Sequence, residues 1–335
     1  MRILSEESLS VAVVGLGKMG LLHASILNVL PNVELAGLCD KSVVLRRFLK
    51  KVFKKIRVVD SLEKLSGLGL DAVYVTTPIS SHFSVVETVY LKDIACNLFV
   101  EKTLASGYDE AEKLCELARG FGGVNMVGYL RRFAVTFKKA KDLLDREVIG
   151  DLVSFRAYAY SSDFSENISG SRVPAVRGGV LRDLGCHVVD LALWFFGDLE
   201  VDSAGLKSLV GGGSEDSACF KVSESSGLEG EFNVSWCVEN YRMPEVGLSI
   251  SGSKGNLKVN DDKVELKLNN GKSSWYRHDL RDNVFFWLGG PEYFREDECF
   301  VKSVIDGCDA EPSFDSASKV DRVIDEVKRR ADGSE

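Results

Sequence analysis

Ser10–Val14 is a short apolar run that leads straight into Gly15-Leu16-Gly17-Lys18-Met19-Gly20. A helical apolar pattern follows through Leu21, Leu22, Ala24, Ile26, Leu27 and Leu30, and Pro31 terminates it. A glycine triplet of this spacing has meaning when it joins a strand to a helix, which is its setting here. Gly15 suits a tight turn, Gly17 the close approach of a pyrophosphate, and Gly20 tight packing of helix on strand. The phosphates would lie on the helix N-terminus beside Lys18 and Met19, where free N–H groups and the helix dipole favour an anion. The next apolar run, Val33–Cys39, ends in Asp40, twenty residues after Gly20. An acid there is placed for the adenosine ribose hydroxyls and against a 2′-phosphate, so NAD is favoured over NADP. Lys41, Arg46 and Arg47 weigh the other way, and Asp40 is also placed to cap the following helix.

Alternation continues along the chain. Ile56–Val59, Asp71–Thr76, Asn97–Val100 and Val124–Val127 read as strands, while Asp60–Leu65, Ser80–Leu91 and Tyr108–Arg119 read as helices. This spacing predicts a parallel, doubly wound sheet over residues 1–130, with ligands at the carboxyl ends of its strands. Thr76, Thr77 and Pro78, the pair Glu101-Lys102, and Tyr129–Arg132 all fall at those ends with the glycine loop.

From about Phe133 the pattern changes. A helix through Glu147 precedes an alternating strand, Leu152–Tyr160. Val201–Val210, Ser217–Val222, Leu228–Cys237, Val246–Ser251, Asn256–Val259 and Val264–Leu268 read as strands separated by tight turns, hence an antiparallel sheet in a second domain, 131–335. Ser313–Arg330 closes the chain as a helix. Between strand and sheet lies GGVLRDLGCHVVD, Gly178–Asp190. If Val180–Phe196 is one helix, Asp183, His187 and Asp190 share a face. A carboxylate one turn from an imidazole holds its tautomer and favours its charged form, as suits a general base, although an ordinary helical Asp–His pair has the same spacing. Arg172 and Arg177, in the loop ahead of that helix, are candidates for a substrate carboxylate or phosphate or are simply surface residues.

Net charge of −8 argues against nucleic acid, and 27% charged residues are those of an ordinary globular chain. The start MRILSEESLS lacks the apolar run of a signal peptide, and eight scattered cysteines without a CxxC fit reduced thiols in the cytoplasm. The spacing of His, Cys and carboxylates implies no metal site.

Together GLGKMG, Asp40, TTPISSH, EKT, GYLRRF, GGVLRDLGCHVVD and the Gly-Ser-Lys-Gly turn at Gly252–Gly255 stand in an order that resembles the glucose–fructose oxidoreductase / inositol dehydrogenase / rhizopine-catabolism (Gfo/Idh/MocA) family. The resemblance runs from Val11 to Val327. It implies a Rossmann domain followed by an α/β domain on a large open antiparallel sheet, whose outer face commonly makes dimer or tetramer contacts. It places Lys102, Asp183 and His187 on catalytic and substrate positions. Gly15, Gly17, Met19, Asp40, Thr77, Glu101 and Lys102 fall on or near cofactor positions, and Arg132 lies near the nicotinamide. Thr103 departs from the family pattern, which usually has proline after Glu-Lys.

The activity so implied is hydride transfer between NAD(H) and a hydroxyl or ketone carbon of a sugar, polyol or nucleotide sugar. His187 would accept the hydroxyl proton, Asp183 orient the imidazole, and Lys102 hydrogen-bond the reacting oxygen. The resemblance also admits a sensor that binds dinucleotide without turnover, and a reductase of a non-sugar carbonyl or imine. An intact Lys102/Asp183/His187 set argues against the sensor.

Overall fold

The computed structural model describes residues 8–164, 178–210, 214–282 and 290–333. The chain divides into two compact units, Met1–Leu130 with Val284–Ser318, and Arg131–Asn283 with Lys319–Glu335.

The first unit is built on six parallel strands: β1 (Leu9–Val14), β2 (Val33–Cys39), β3 (Arg57–Val59), β4 (Ala72–Val75), β5 (Asn97–Glu101) and β6 (Asn125–Gly128). Their order is β3-β2-β1-β4-β5-β6, so the strand order reverses between β1 and β4, where doubly wound sheets bind ligands. Val11, Ala12, Val13, Val73, Tyr74, Phe99 and Val100 are fully buried, as expected of strands covered on both faces. The helices are α1 (Lys18–Leu27), α2 (Val43–Val52), α3 (His82–Leu91) and α4 (Tyr108–Phe121). Asp60–Leu65 does not form the expected helix; only a 3-10 turn, Leu62–Leu65, is present.

Val284–Ser318 belongs with this unit, whereas the division read from the sequence gave it to the second domain. The reason is aromatic packing. Phe300, on α7 (Pro291–Asp306), meets Tyr74 of β4 edge-on at 5.4 Å and Phe99 of β5 at 5.8 Å between centroids. No strand–helix alternation marks that segment, so its partner was not readable locally.

The second unit carries α5 (Val135–Asp145), α6 (Cys186–Phe196) and eight strands: β7 (Leu152–Tyr160), β8 (Glu200–Lys207), β9 (Ser217–Ser223), β10 (Glu229–Ser235), β11 (Glu245–Gly252), β12 (Gly255–Asn260), β13 (Lys263–Leu268) and β14 (Gly271–Tyr276). They form one sheet in the order β14-β13-β12-β11-β7-β10-β9-β8. Phe155, Ala157, Ala159, Phe220, Phe232, Val234, Leu248, Ile250 and Leu257 bury one face. On the other face Arg156 is in register with Glu231 on one side and Ser249 on the other, and the row continues to Lys221, Lys258 and Glu265. The sheet is not wholly antiparallel: β7 and β10 pair in parallel, since the chain between them runs through α6 and a β8–β9 hairpin before returning. The strand expected at Val201–Val210 ends at Lys207.

Candidate active site

Gly15 has φ +92°, and a Cβ there would lie 2.7 Å from the Thr77 nitrogen. A Cβ on Gly20 would fall 1.9 Å from the Gly15 carbonyl oxygen, so the first turn of α1 is pressed against the loop. At Gly17 a Cβ would meet nothing within 4 Å, and no side chain caps the helix that starts there. Open space in front of uncapped helical N–H groups fits a pyrophosphate. Lys18 is exposed and Met19 half-buried beside it.

Asp40 fastens this loop to the end of β2. Its Oδ2 accepts the Leu16 N–H and its Oδ1 the Ser42 N–H, both at 2.7 Å, and each oxygen keeps a second lone pair for a ribose hydroxyl. The cap of α2 is Ser42, which accepts the Leu45 N–H, and not Asp40. Thr76 gives its hydroxyl hydrogen to the Gly15 carbonyl at 2.6 Å, which makes it a strut of the loop. Thr77 follows, with its Oγ1 buried, and Pro78 is exposed.

Lys102 follows the last residue of β5, and its surroundings were only partly readable. Glu101 Oε2 accepts the Lys102 N–H at 3.2 Å, while Glu101 Oε1 meets His23 Nε2 at 3.0 Å. The other ring nitrogen of His23 faces Asp297 of α7, at 2.8 and 3.0 Å from its two oxygens. His23 and Asp297 are fully buried. Burial opposes the charge on His23, but Asp297 and then Glu101 outweigh it and hold the pKa well above its ordinary 6.5. Burial likewise pushes Glu101 up, and the His23 hydrogen bond and charge overcome it to leave the carboxyl below its usual range; Asp297 stays above its own because burial dominates.

On the other flank, the Lys102–Thr103 peptide is cis. Fully buried His82, at the start of α3, lies between the Thr103 and Thr77 carbonyl oxygens, 2.8 Å from each. Burial lowers its pKa. A neutral ring donates to one of these oxygens; only an imidazolium donates to both. Its burial favours an internal strut over substrate contact.

In the second unit, Val180–Phe196 is not one regular α-helix. Leu181–Gly185 is a π turn that runs into α6 at Cys186, so the acid of the Asp183–His187 pair sits in a widened turn. Such turns recur at functional sites. Asp183 is half-exposed and His187 nearly buried. Two glycines precede the turn at φ +78° and +90°, and a Cβ on Gly179 would strike the Glu215 carboxylate at 2.1 Å. Glu215 in turn accepts the Val180 N–H through its carbonyl. Asp190, grouped by spacing with the pair, is committed to Arg132. Arg132 Nε lies 3.0 Å from both Asp190 oxygens and Nη2 2.7 Å from Oδ1, and the guanidinium stands 5.8 Å from the Trp194 ring. Arg172 and Arg177 lie outside the described residues.

The first unit thus carries a glycine loop fastened by an acid at the reversal point of a parallel sheet, with Glu-Lys at the end of β5, and the second unit carries the Asp–His pair. Residues 9–129 match the oxidoreductase family's NAD-binding Rossmann fold, and residues 137–258 match the GFO/IDH/MocA C-terminal domain. The chain belongs to the Gfo/Idh/MocA oxidoreductase family. Its relatives include scyllo-inositol 2-dehydrogenase (NAD(+)) of Bacillus subtilis, 27% identical over 57% of this chain and 55% of that protein. Thus the chain spans just over half the length of that relative. Myo-inositol 2-dehydrogenase of Thermotoga maritima is 25% identical over 89% of this chain and 88% of its own. Among solved structures, GenD2 from gentamicin A biosynthesis in complex with NAD is 27% identical, with a TM-score of 0.80 over 98% of this chain and 95% of that one. Among the described residues of this Gfo/Idh/MocA member, no group of three or more His, Cys, Asp or Glu is placed to hold a metal ion, and no helix is long and apolar enough to cross a membrane.

Proposed function

We propose that this family member is an NAD(H)-dependent oxidoreductase acting on a CH–OH carbon of a sugar or polyol. The observation that carries the reading is the glycine loop, open at Gly17 and tied to Asp40, in the same unit as the Glu101-held Lys102. Gly15, Gly17, Lys18, Met19 and Asp40 would hold the dinucleotide, which supplies the hydride acceptor when bound. His187 takes the hydroxyl proton as general base. Asp183 sets its tautomer and steadies the imidazolium. Lys102 donates to the substrate oxygen and stabilises the charge that develops there. The names of the relatives, two inositol dehydrogenases among them, support a sugar or polyol substrate. The enzyme would work in the cytoplasm as a homodimer or homotetramer.

The test is a panel of scyllo-inositol, myo-inositol, aldoses, glycosides and nucleotide sugars, followed by NADH formation. Turnover with one of them, reduced about 100- to 10,000-fold in His187→Ala, is the expected result. Tight NAD binding with no turnover on any member of the panel would instead favour a sensor.

A further inference from the structure

Lys102 is flanked by two buried histidines, His23 against the Glu101 side chain and His82 against the main chain of Thr103. We propose that His23 and His82 are positioning residues for Lys102, the first acting through the Glu101 carboxylate and the second through the carbonyls of Thr103 and Thr77. The inference rests on the reading of Lys102 as the donor to the substrate oxygen.

The chemistry of the His23 contacts separates them from ordinary packing. Both ring nitrogens face carboxylate oxygens, and an ionised carboxylate only accepts, so the ring must donate at both ends. A core position between Phe99, at 5.1 Å, and Tyr74, at 5.7 Å, would be filled with less desolvation by an apolar side chain. Instead α1 contributes a cation, α7 contributes Asp297 next to buried Glu296, and β5 ends in Glu101. Tyr74 of β4 and Tyr293 of α7 complete the wall. Asp297 fixes the ring, the ring fixes Glu101 Oε1, and Glu101 Oε2 fixes the Lys102 peptide. On the other side, the buried His82 ring sits between the Thr103 carbonyl, just after Lys102, and the Thr77 carbonyl, donating to one and packing against the other. The lysine therefore leaves the main chain between two anchored points.

The experiment uses the full chain. Acetylation of individual lysines by acetic anhydride is read by mass spectrometry, NADH affinity is titrated, and turnover is measured on the substrate from the panel above. His23→Gln and His82→Gln are expected to change Lys102 labelling severalfold, leaving exposed Lys113 unchanged as an internal reference. Turnover should fall about 10- to 100-fold, the scale of a misplaced catalytic group, with NADH affinity nearly retained. Ile26→Ala, a packing change on the same helix, should lower the melting temperature and move neither readout. His23→Gln combined with Glu101→Gln should cost no more than the worse single change. Wild-type labelling and turnover in folded His23→Gln and His82→Gln, or losses that multiply in the double variant, would overturn the proposal. If His23→Gln does not fold, NMR of the four histidines in the unmutated protein decides: a His23 ring without a proton on Nε2 overturns it. A wrong functional reading shows separately, as absence of turnover in every variant, while the labelling result still stands.

Discussion

Arg132 and Asp190 form a buried two-pronged ion pair, closed by contacts of 2.7 and 3.0 Å, three residues beyond His187 on α6. Removing one partner leaves the other charge without its counter-ion in a dry site, at a cost of about 3–5 kcal/mol. Arg132→Met should therefore lose stability on that scale. Arg132→Met with Asp190→Leu should recover much of it. Urea unfolding that puts the single variant within about 1 kcal/mol of the parent would refute a supporting role for the pair.

The His23 cluster predicts how stability varies with pH. The pKa of His23 is raised in the fold, so its contribution is complete below 6.5 and is lost as pH rises through the folded value. The pKa of Glu101 is lowered, so its contribution is present above 4.5 and is lost as pH falls through its folded value. Asp297 is raised and acts in the same sense as His23. Unfolding midpoints should fall on the alkaline side in the parent. That alkaline fall should shrink in His23→Gln; an unchanged profile would contradict it.

Gly17, at the N-cap of α1, and Gly20, in its first turn, should respond in opposite ways. Gly17→Ala meets open space, so the melting temperature should hold while NADH affinity drops. Gly20→Ala places a methyl 1.9 Å from the Gly15 carbonyl, so the fold itself should suffer. Thermal scans and NADH titration on both variants check this. Equal NADH affinity in Gly17→Ala would remove the phosphate from that turn.

NAD should bind more tightly than NADP, because the Asp40 carboxylate at the end of β2 would repel a 2′-phosphate brought to it. Asp40→Ser should narrow the gap and also loosen the glycine loop, since Leu16 and Ser42 lose their acceptor. Calorimetric preference of the unmutated chain for NADP would reject the assignment.

The family resemblance implies assembly through the outer face of the open sheet. The outer face proves polar, so water can cover it and apolar burial gives no such demand. The remaining argument is the row Lys221, Glu231, Arg156, Lys258 and Glu265, with half-buried Tyr158 and Tyr160 beside it, a composition that suits a self-complementary contact. Light scattering should give a dimer or tetramer, and Arg156→Glu should weaken it. A mass near 36.8 kDa at micromolar concentration would exclude both.

What the sequence determined by itself is local. Strand–glycine–helix at residues 10–30, the alternation as far as Gly128, and the two-residue period of Leu152–Tyr160 are set by backbone geometry and side-chain direction within a few residues. Asp40 and the Asp183–His187 pair were readable as candidates from their offsets to such elements, and the role of Lys102 only from the family resemblance. Their partners were not. His23 finds Asp297 at a separation of 274 residues, and Arg132 finds Asp190 at 58. The return of α7 to the parallel sheet, the parallel pairing of β7 with β10 and the π turn under Asp183 are of the same kind. Charge pairing and aromatic packing are fixed only when the chain brings distant groups into a dry interior. There desolvation makes an unmatched charge intolerable, and so the tertiary structure alone decided which acid holds which base.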